Sequence, residues 1–158
     1  MVSAEEDTPS EYQRGEGYVV STWRNVLLML WSGAVTIEAL DATSRAGVMI
    51  EKRYGDQVAV SISLPKVALP DQEVRAYAAR LMRERSDAVR VSVTVIEGDG
   101  FWLSAGRMVM TALVTLSGAK TRPIIAKSVD EAVPLIHPHV QPKATVAEVV
   151  RALRVFRG

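Results

Sequence analysis

The stretch that decides the fold runs from Tyr18 to Leu64 and reads YVVSTWRNVLLMLWSGAVTIEALDATSRAGVMIEKRYGDQVAVSISL. It opens with two runs of β-forming residues, Tyr18–Trp23 and Val26–Trp31, which are separated by Arg24 and Asn25. Because Asn tolerates positive φ, this pair suits a tight hairpin turn. The two runs are therefore predicted to form an antiparallel hairpin, with one strand at the edge of a sheet.

A helix and a third strand follow the hairpin. Thr36 is placed to cap a helix over about Ile37 to Tyr54, and Gly55 suits a left-handed C-terminal end. In Gln57–Leu64, large apolar residues alternate with Ala and Ser, which predicts a strand buried on one face and closely packed on the other. Strands joined through a helix of this length pair in parallel, so the sheet is expected to be mixed.

The alternation of helix and strand continues to Ile136. The pattern predicts a helix from Pro70 to about Arg85, a strand at Arg90–Ile96, a helix at Trp102–Leu116, a strand at Arg122–Ala126 and a short helix from Ser128 to Ile136. This order predicts an α/β sandwich with a mixed sheet of about five strands.

The two ends of the chain are predicted to lie outside the main domain, which spans residues 17–136. Residues 1–16 are acidic and polar without apolar periodicity, and they are expected to form a flexible tail. Residues 137–158 contain a Pro-rich linker, His137–Pro142, and an extra amphipathic C-terminal helix over Thr145–Phe156.

The amino-acid composition argues against several classes of function. The 19 basic and 18 acidic residues are interspersed, so a clustered basic surface for nucleic acid is not expected. The chain has no Cys, which excludes disulfides, thiolate nucleophiles and sulfur-ligated zinc and fits a reducing cytoplasm. The N-terminal residues lack the features of a secretory signal, and the longest apolar run is far shorter than the ~20 residues of a membrane span. A cytoplasmic protein is expected.

Two segments carry a resemblance to a known family. They are NVLLMLWSGAVTIEAL at Asn25–Leu40 and RPIIAKSVDEAVPLI at Arg122–Ile136. With the element order, they resemble the STAS domain and its SpoIIAA-like relatives over roughly Tyr18 to Ile136. That family includes anti-sigma-factor antagonists and is related to lipid-binding domains of the CRAL-TRIO type. The resemblance implies a STAS-like fold and a non-catalytic role in bacterial signalling.

One departure from the family concerns its phosphorylation site. Antagonists of this family carry Asp-Ser-Ser-Gly after the third strand, whereas the corresponding stretch here is Ala68-Leu69-Pro70-Asp71-Gln72-Glu73, which has no hydroxyl. A serine switch is therefore not expected at this place. Asp71 and Glu73 either stabilise the first turn of a helix, which is the stronger interpretation, or mimic a phosphorylated state.

Few residues suggest catalysis. His137 and His139 form a His-Pro-His in the predicted linker without a third metal ligand, and no catalytic triad has a plausible base. Gly98-Asp99-Gly100 lies between a strand and a helix, where anions can bind in open α/β folds, although a simple turn is the stronger interpretation. No metal, cofactor or enzymatic activity is predicted.

The helix after that loop is the best candidate for a partner-binding surface. Phe101 and Trp102 are either exposed anchors or core residues, with Phe101 the stronger candidate for the core, and the helix is apolar on more than one face. The predicted partner-binding residues are Gly98, Asp99, Gly100, Phe101, Trp102, Ser104 and Asp71.

Three hypotheses for function follow, of which an enzyme is the weakest because no catalytic constellation is recognised. The first is a protein-interaction module in bacterial signalling or scaffolding that binds a protein partner, including a second copy of itself as a homodimer. The alternative is a carrier of a small apolar ligand or lipid, in which the Met-rich helix lines a pocket.

Overall fold

The computed structural model describes residues 7–65, 67–85 and 87–158. Within these residues the strands are β1 (Ser10–Gly15), β2 (Tyr18–Trp23), β3 (Val26–Trp31), β4 (Gln57–Ser63), β5 (Val89–Ile96) and β6 (Ile124–Ala126). The helices are α1 (Ile37–Tyr54), α2 (Gln72–Arg85), α3 (Gly100–Ser117), α4 (Val129–Ile136) and α5 (Val146–Arg157), with a 3-10 turn at His137–His139 between the last two.

The strands lie in the sheet in their chain order, from β1 to β6. The pairs β1–β2 and β2–β3 are antiparallel, whereas β3, β4, β5 and β6 are parallel to one another. The helices α1, α2 and α3 connect the parallel strands. The predicted α/β class with a mixed sheet is confirmed, but the described residues form six strands instead of about five.

The additional strand lies in the segment expected to be a flexible tail. Ser10–Gly15 pair with β2 and form the sheet edge, so β2 is an inner strand and not the predicted edge. Before β1, the Asp7 carboxylate accepts hydrogen bonds from Trp23 Nε1 at 2.9 Å and Arg24 Nη2 at 2.8 Å. An edge strand pairs through its backbone and exposes polar side chains, so apolar periodicity gives no signal for it. Residues 1–6 of the predicted tail lie outside the described residues.

We expect deletion of residues 1–16 to lower the thermal midpoint by more than about 5 °C, because it removes β1 and the contacts of Asp7. Thermal unfolding followed by circular dichroism measures the change. Deletion of residues 1–6 alone is the control, since it retains Asp7 and β1, and it should cost clearly less. An unchanged midpoint after the longer deletion would show that β1 contributes little.

The predicted hairpin forms, with one difference in its turn. The positive φ lies at Arg24, at 52°, and not at Asn25. Asn25 is fully buried, and its side chain contacts the C-terminal loop: Nδ2 donates to the carbonyl of His139 at 3.0 Å, and Oδ1 accepts from the backbone N–H of Gln141 at 2.8 Å. The turn therefore anchors the segment predicted to be a linker.

The helix termini follow their capping residues. Thr36 and Gly55 cap α1 over the predicted range. The helix α2 begins at Gln72 and not at Pro70, because the Asp71 carboxylate accepts the hydrogen bond of the Val74 N–H at 2.9 Å and so acts as its cap. In the same way, Asp99 caps α3, which starts at Gly100, two residues before the predicted position.

The sheet packs helices on both faces. One core contains large apolar residues of β3, β4 and β5 together with α4 and α5, and it buries Val149, Ala152 and Leu153 of the last helix. The amphipathic C-terminal helix is therefore part of the main core and not an appended element. The other core contains alternate residues of β2 and β3 packed against α1. Across residues 7–65, 67–85 and 87–158, no helix has the length and apolar character to cross a membrane.

Candidate functional site

The faces of β4 and β5 differ in side-chain size. On the α4–α5 side, both strands carry buried Val and Ile residues: Val58, Val60, Ile62, Val91, Val93 and Val95. On the opposite side, they carry Ala59, Ser61, Ser63, Ser92 and Thr94. Strand alternation thus places a row of small side chains beneath α1, α2 and α3.

The helices do not fill the space above these small side chains. Facing residues include Thr43, Ser44 and Gly47 of α1 and Ala78 of α2, and two adjoining cavities of about 230 and 180 Å³ remain. Both cavities are lined by Trp31, Leu40, Ser61, Ala78, Thr94 and Met110. The cavities therefore meet at the middle of the sheet, beneath α2 and α3.

The two cavities extend toward opposite ends of the parallel strands. The larger one reaches Gln57 and Val89, where β4 and β5 begin, and Arg85 at the end of α2. The smaller one reaches Ile96, where β5 ends, and Trp102 at the start of α3. Together they extend along the strands from the amino ends of β4 and β5 to the carboxyl end of β5.

The lining of the cavities is mainly apolar, and the indole N–H of Trp31 at its centre has a hydrogen-bond acceptor within the protein. Trp31 Nε1 donates a hydrogen bond to Ser61 Oγ at 2.8 Å. A charged group occurs at the end of the larger cavity, where Arg85 Nη1 donates to Glu51 Oε2 at 3.0 Å. Glu51 Oε1 also accepts from Gln57 Nε2 at 2.6 Å. This arrangement suits an apolar ligand with a polar end.

The Gly98-Asp99-Gly100 loop is a helix-capping turn. The Asp99 carboxylate accepts hydrogen bonds from the backbone N–H groups of Phe101 at 3.1 Å and Trp102 at 3.2 Å. Gly98 has a φ of 133°, which favours Gly. Two of the backbone amides at this helix N-terminus are thus occupied by the protein's own carboxylate.

The two aromatic residues after this loop have reversed roles relative to the prediction. Phe101, the stronger candidate for the core, is 72% exposed. Trp102 is half-buried and lines the smaller cavity, and the two rings meet edge to face with centroids 5.4 Å apart. Helix periodicity places Trp102 on the same side as Val109 and Leu113, which face the sheet, whereas Phe101 falls on the outer side.

Of the other predicted site residues, Ser104 is exposed on α3 and Asp71 is exposed at the start of α2. Pro70, next to Asp71, lines the smaller cavity together with Trp102. The structure therefore brings the Asp71 segment and Trp102 to one cavity mouth, whereas Phe101 and Ser104 remain on the surface.

The helix α3 is apolar on two sides, as the sequence indicated. Its inner side approaches the sheet closely at Gly106, where an added Cβ would lie 2.5 Å from Ile96 Cδ1. Its outer side exposes Phe101, Met108 at 74% and Leu116 at 60%. Arg107 is the one charged residue in the sequence of this helix.

The sequence indicated a pocket only as an alternative, along the Met-rich helix, and did not place it above β4, whose face of small side chains was interpreted as closely packed. The signal was present in the alternation of Ala59, Ser61 and Ser63 with larger residues. Small side chains fit either a close approach of helices or a gap, and the packing of α2 and α3 decides between them.

Neither histidine is among the residues that line the two cavities. His137 Nε2 lies 2.9 Å from the carbonyl oxygen of Ala144, and His139 is exposed. In the part of the chain that the structure describes, no group of three His, Cys, Asp or Glu residues could hold a metal ion.

Comparisons with protein-family models, with curated protein sequences and with solved structures gave no match for this chain. The two cavities and the exposed apolar side of α3 are the features of the described residues that suggest a function.

Proposed function

We propose that this protein is a non-catalytic carrier that binds a small apolar ligand between the sheet and the α1–α3 layer. The observation that supports the proposal is the pair of adjoining cavities of about 230 and 180 Å³ above the small side chains of β4 and β5. Their total lies in the lower part of the range of about 300–1,000 Å³ that small-ligand pockets occupy.

The size and lining of the cavities support this proposal energetically. An apolar cavity of about 150 Å³ is enough to bind benzene in a protein interior. A ligand here would contact side chains such as Leu40 and Met110, which lack packing partners on the cavity side. Transfer of each ligand methylene from water then contributes about 0.8 kcal/mol to binding. The proposal is also in keeping with the resemblance to STAS-like domains, whose relatives include lipid-binding ones.

Native mass spectrometry and an NMR titration together test the carrier function. Protein purified under non-denaturing conditions should retain a small apolar molecule, and 1-octanol should compete with it. In ¹H–¹⁵N spectra of the delipidated protein, 1-octanol should shift the amides of cavity residues such as Ser61, Ala78 and Thr94. A protein that retains no ligand and shows no saturable shifts would contradict the proposal.

A second candidate function is an interaction module that self-associates through the outer side of α3. This side exposes Phe101, Met108 and Leu116, and α3 carries only the charge of Arg107. A two-fold contact brings the same surface of both copies together, so a nearly uncharged helix avoids like-charge repulsion there. Large aromatic residues such as Phe101 contribute strongly to such contacts.

We expect Phe101→Ser to weaken self-association by at least about tenfold, which corresponds to 1.4 kcal/mol. The ring is mostly exposed, so the substitution should leave the thermal midpoint within about 2 °C. Sedimentation equilibrium measures the dimer dissociation constant. Val155→Ser is the matched control, because Val155 is an exposed apolar residue on α5. A wild-type protein that stays monomeric at millimolar concentration would contradict this second candidate.

A further inference from the structure

Arg85 lies at the end of the larger cavity and carries a hydrogen-bond donor that has no acceptor among the described residues. Arg85 lines this cavity, and its Nη1 donates to Glu51 at 3.0 Å. Its Nε is buried and has no hydrogen-bond partner among the described residues. A buried donor that stays unpaired destabilises the fold, so an acceptor supplied by a ligand would be favourable at this position.

Other arginines of this chain use the same guanidinium edge to bind a carboxylate. The edge formed by Nε and Nη2 contacts a carboxylate in several pairs, among them Arg24–Asp7 at 3.2 and 2.8 Å, Arg154–Asp130 at 3.3 and 3.1 Å, and Arg157–Glu97 at 2.6 and 2.9 Å. Two parallel donors match the two oxygens of a carboxylate. In Arg85, Glu51 contacts Nη1, which leaves the Nε side of the group for a second acceptor.

The presence of Glu51 does not prevent a second carboxylate from binding. Arg24 holds two carboxylates at once, because its Nη2 lies 2.8 Å from both Asp7 Oδ2 and Glu148 Oε2. One guanidinium has five N–H donors and can serve both groups. Gln57 also donates a hydrogen bond to Glu51 at 2.6 Å, and this bond stabilises the negative charge of the Glu51 carboxylate.

We propose that the cavity ligand is an amphipathic monocarboxylate, such as a medium-chain fatty acid, whose carboxylate binds the Nε side of Arg85. The hydrocarbon chain of the ligand then lies above the small side chains of β4 and β5 and extends toward Trp102. This inference rests on the proposed carrier function and adds the chemical class of the ligand.

The test compares octanoate with 1-octanol, which has the same chain length and no charge. Dissociation constants are measured by ¹H–¹⁵N NMR titration of the delipidated full-length protein at pH 7. We expect octanoate to bind at least about tenfold more tightly than 1-octanol to the wild type. Arg85→Gln should remove this preference, because it should weaken binding of octanoate at least about tenfold more than binding of 1-octanol.

Two further variants separate recognition of the head group from general charge and from stability. Arg83→Gln removes one positive charge from an exposed position on the same helix, and it should retain the preference for octanoate. If Arg85→Gln does not fold, Arg85→Lys retains the charge without the paired donors, and it should reduce the preference by at least about threefold.

The outcomes distinguish this inference from the carrier function. Binding of 1-octanol with no preference for octanoate overturns the carboxylate proposal and leaves the carrier function standing. A preference for octanoate that persists in both Arg85 variants also overturns it. If neither compound binds, both proposals fail.

Discussion

Ala78→Leu is expected to weaken binding of 1-octanol by about a hundredfold and to raise the thermal midpoint of the free protein. Ala78 lies on α2 and lines both cavities. A leucine at this position places three additional carbon atoms where the cavities meet, so an extended ligand chain no longer fits across both. A hundredfold loss corresponds to about 2.8 kcal/mol, or the transfer energy of three to four methylene groups.

The stability of the same variant provides an independent readout. Filling an apolar cavity commonly stabilises a protein by about 0.5–2 kcal/mol, because new contacts replace a void. For a domain of this size, that gain raises the thermal midpoint by roughly 1–8 °C. Opposite changes in ligand affinity and stability are the expected signature of a ligand cavity.

Ala76→Leu is the matched control, because Ala76 lies on the exposed side of the same helix. It makes the same chemical change and should affect neither ligand binding nor the thermal midpoint by much. If Ala78→Leu binds 1-octanol as well as the wild type, the ligand does not occupy the space beneath α2. If it destabilises the protein, the two cavities are too narrow for the added side chain.

The parts of the fold that follow from local rules could be predicted from the sequence. The range of α1 is set by Thr36 and Gly55, and the β2–β3 hairpin is set by two apolar runs with two residues between them. In each case the signal lies within a few residues of the element. The strand β1 gave no such signal, because an exposed edge strand is defined by its backbone pairing with β2.

The candidate site depends on distances between elements that are far apart in sequence. Ala78 and Thr94 lie on a helix and a strand, and only the spacing of α2 above the sheet turns their small size into a cavity. The same applies to Phe101 and Trp102, since the rotation of α3 about its axis decides which ring faces the sheet. Helix periodicity shows that these two residues point in different directions but not which of them points inward.

Loss of the Arg24 contacts is expected to lower the stability of the fold strongly. Its guanidinium joins four segments, because it binds the carboxylates of Asp7 and Glu148 at 2.8 Å and the carbonyl oxygens of Pro142 and Lys143 at 2.8 and 2.9 Å. Both Arg24 and Asp7 are largely buried as side chains, at 16% and 13% exposure. The pair therefore differs from an exposed ion pair, which contributes little to stability.

Arg24→Met is expected to lower the free energy of unfolding by about 3 kcal/mol, because it removes the charged donor of the nearly buried Asp7 carboxylate, which keeps only the Trp23 hydrogen bond, and the donor of two carbonyl groups. For a domain of this size, the thermal midpoint should fall by roughly 6–12 °C. Urea unfolding at pH 7 measures the free energy. Arg14→Met is the matched control, since Arg14 pairs with Glu11 at 2.8 Å on the exposed edge strand, and its loss should cost less than about 0.5 kcal/mol.

The pH dependence of stability tests whether the ion pairs of Arg24 with Asp7 and Glu148 cause this loss. The hydrogen bond from Arg24 lowers the pKa of the Asp7 carboxyl below its ordinary value. Because the folded-state pKa is the lower one, the pair stabilises the fold above the unfolded pKa of about 3.9 and loses this contribution as the pH falls through the folded-state pKa. The difference in unfolding free energy between wild type and Arg24→Met should therefore be largest near pH 7 and shrink below about pH 4. A difference that stays constant from pH 7 to pH 3 would assign the loss to the contacts with Pro142 and Lys143 instead of to the ion pair.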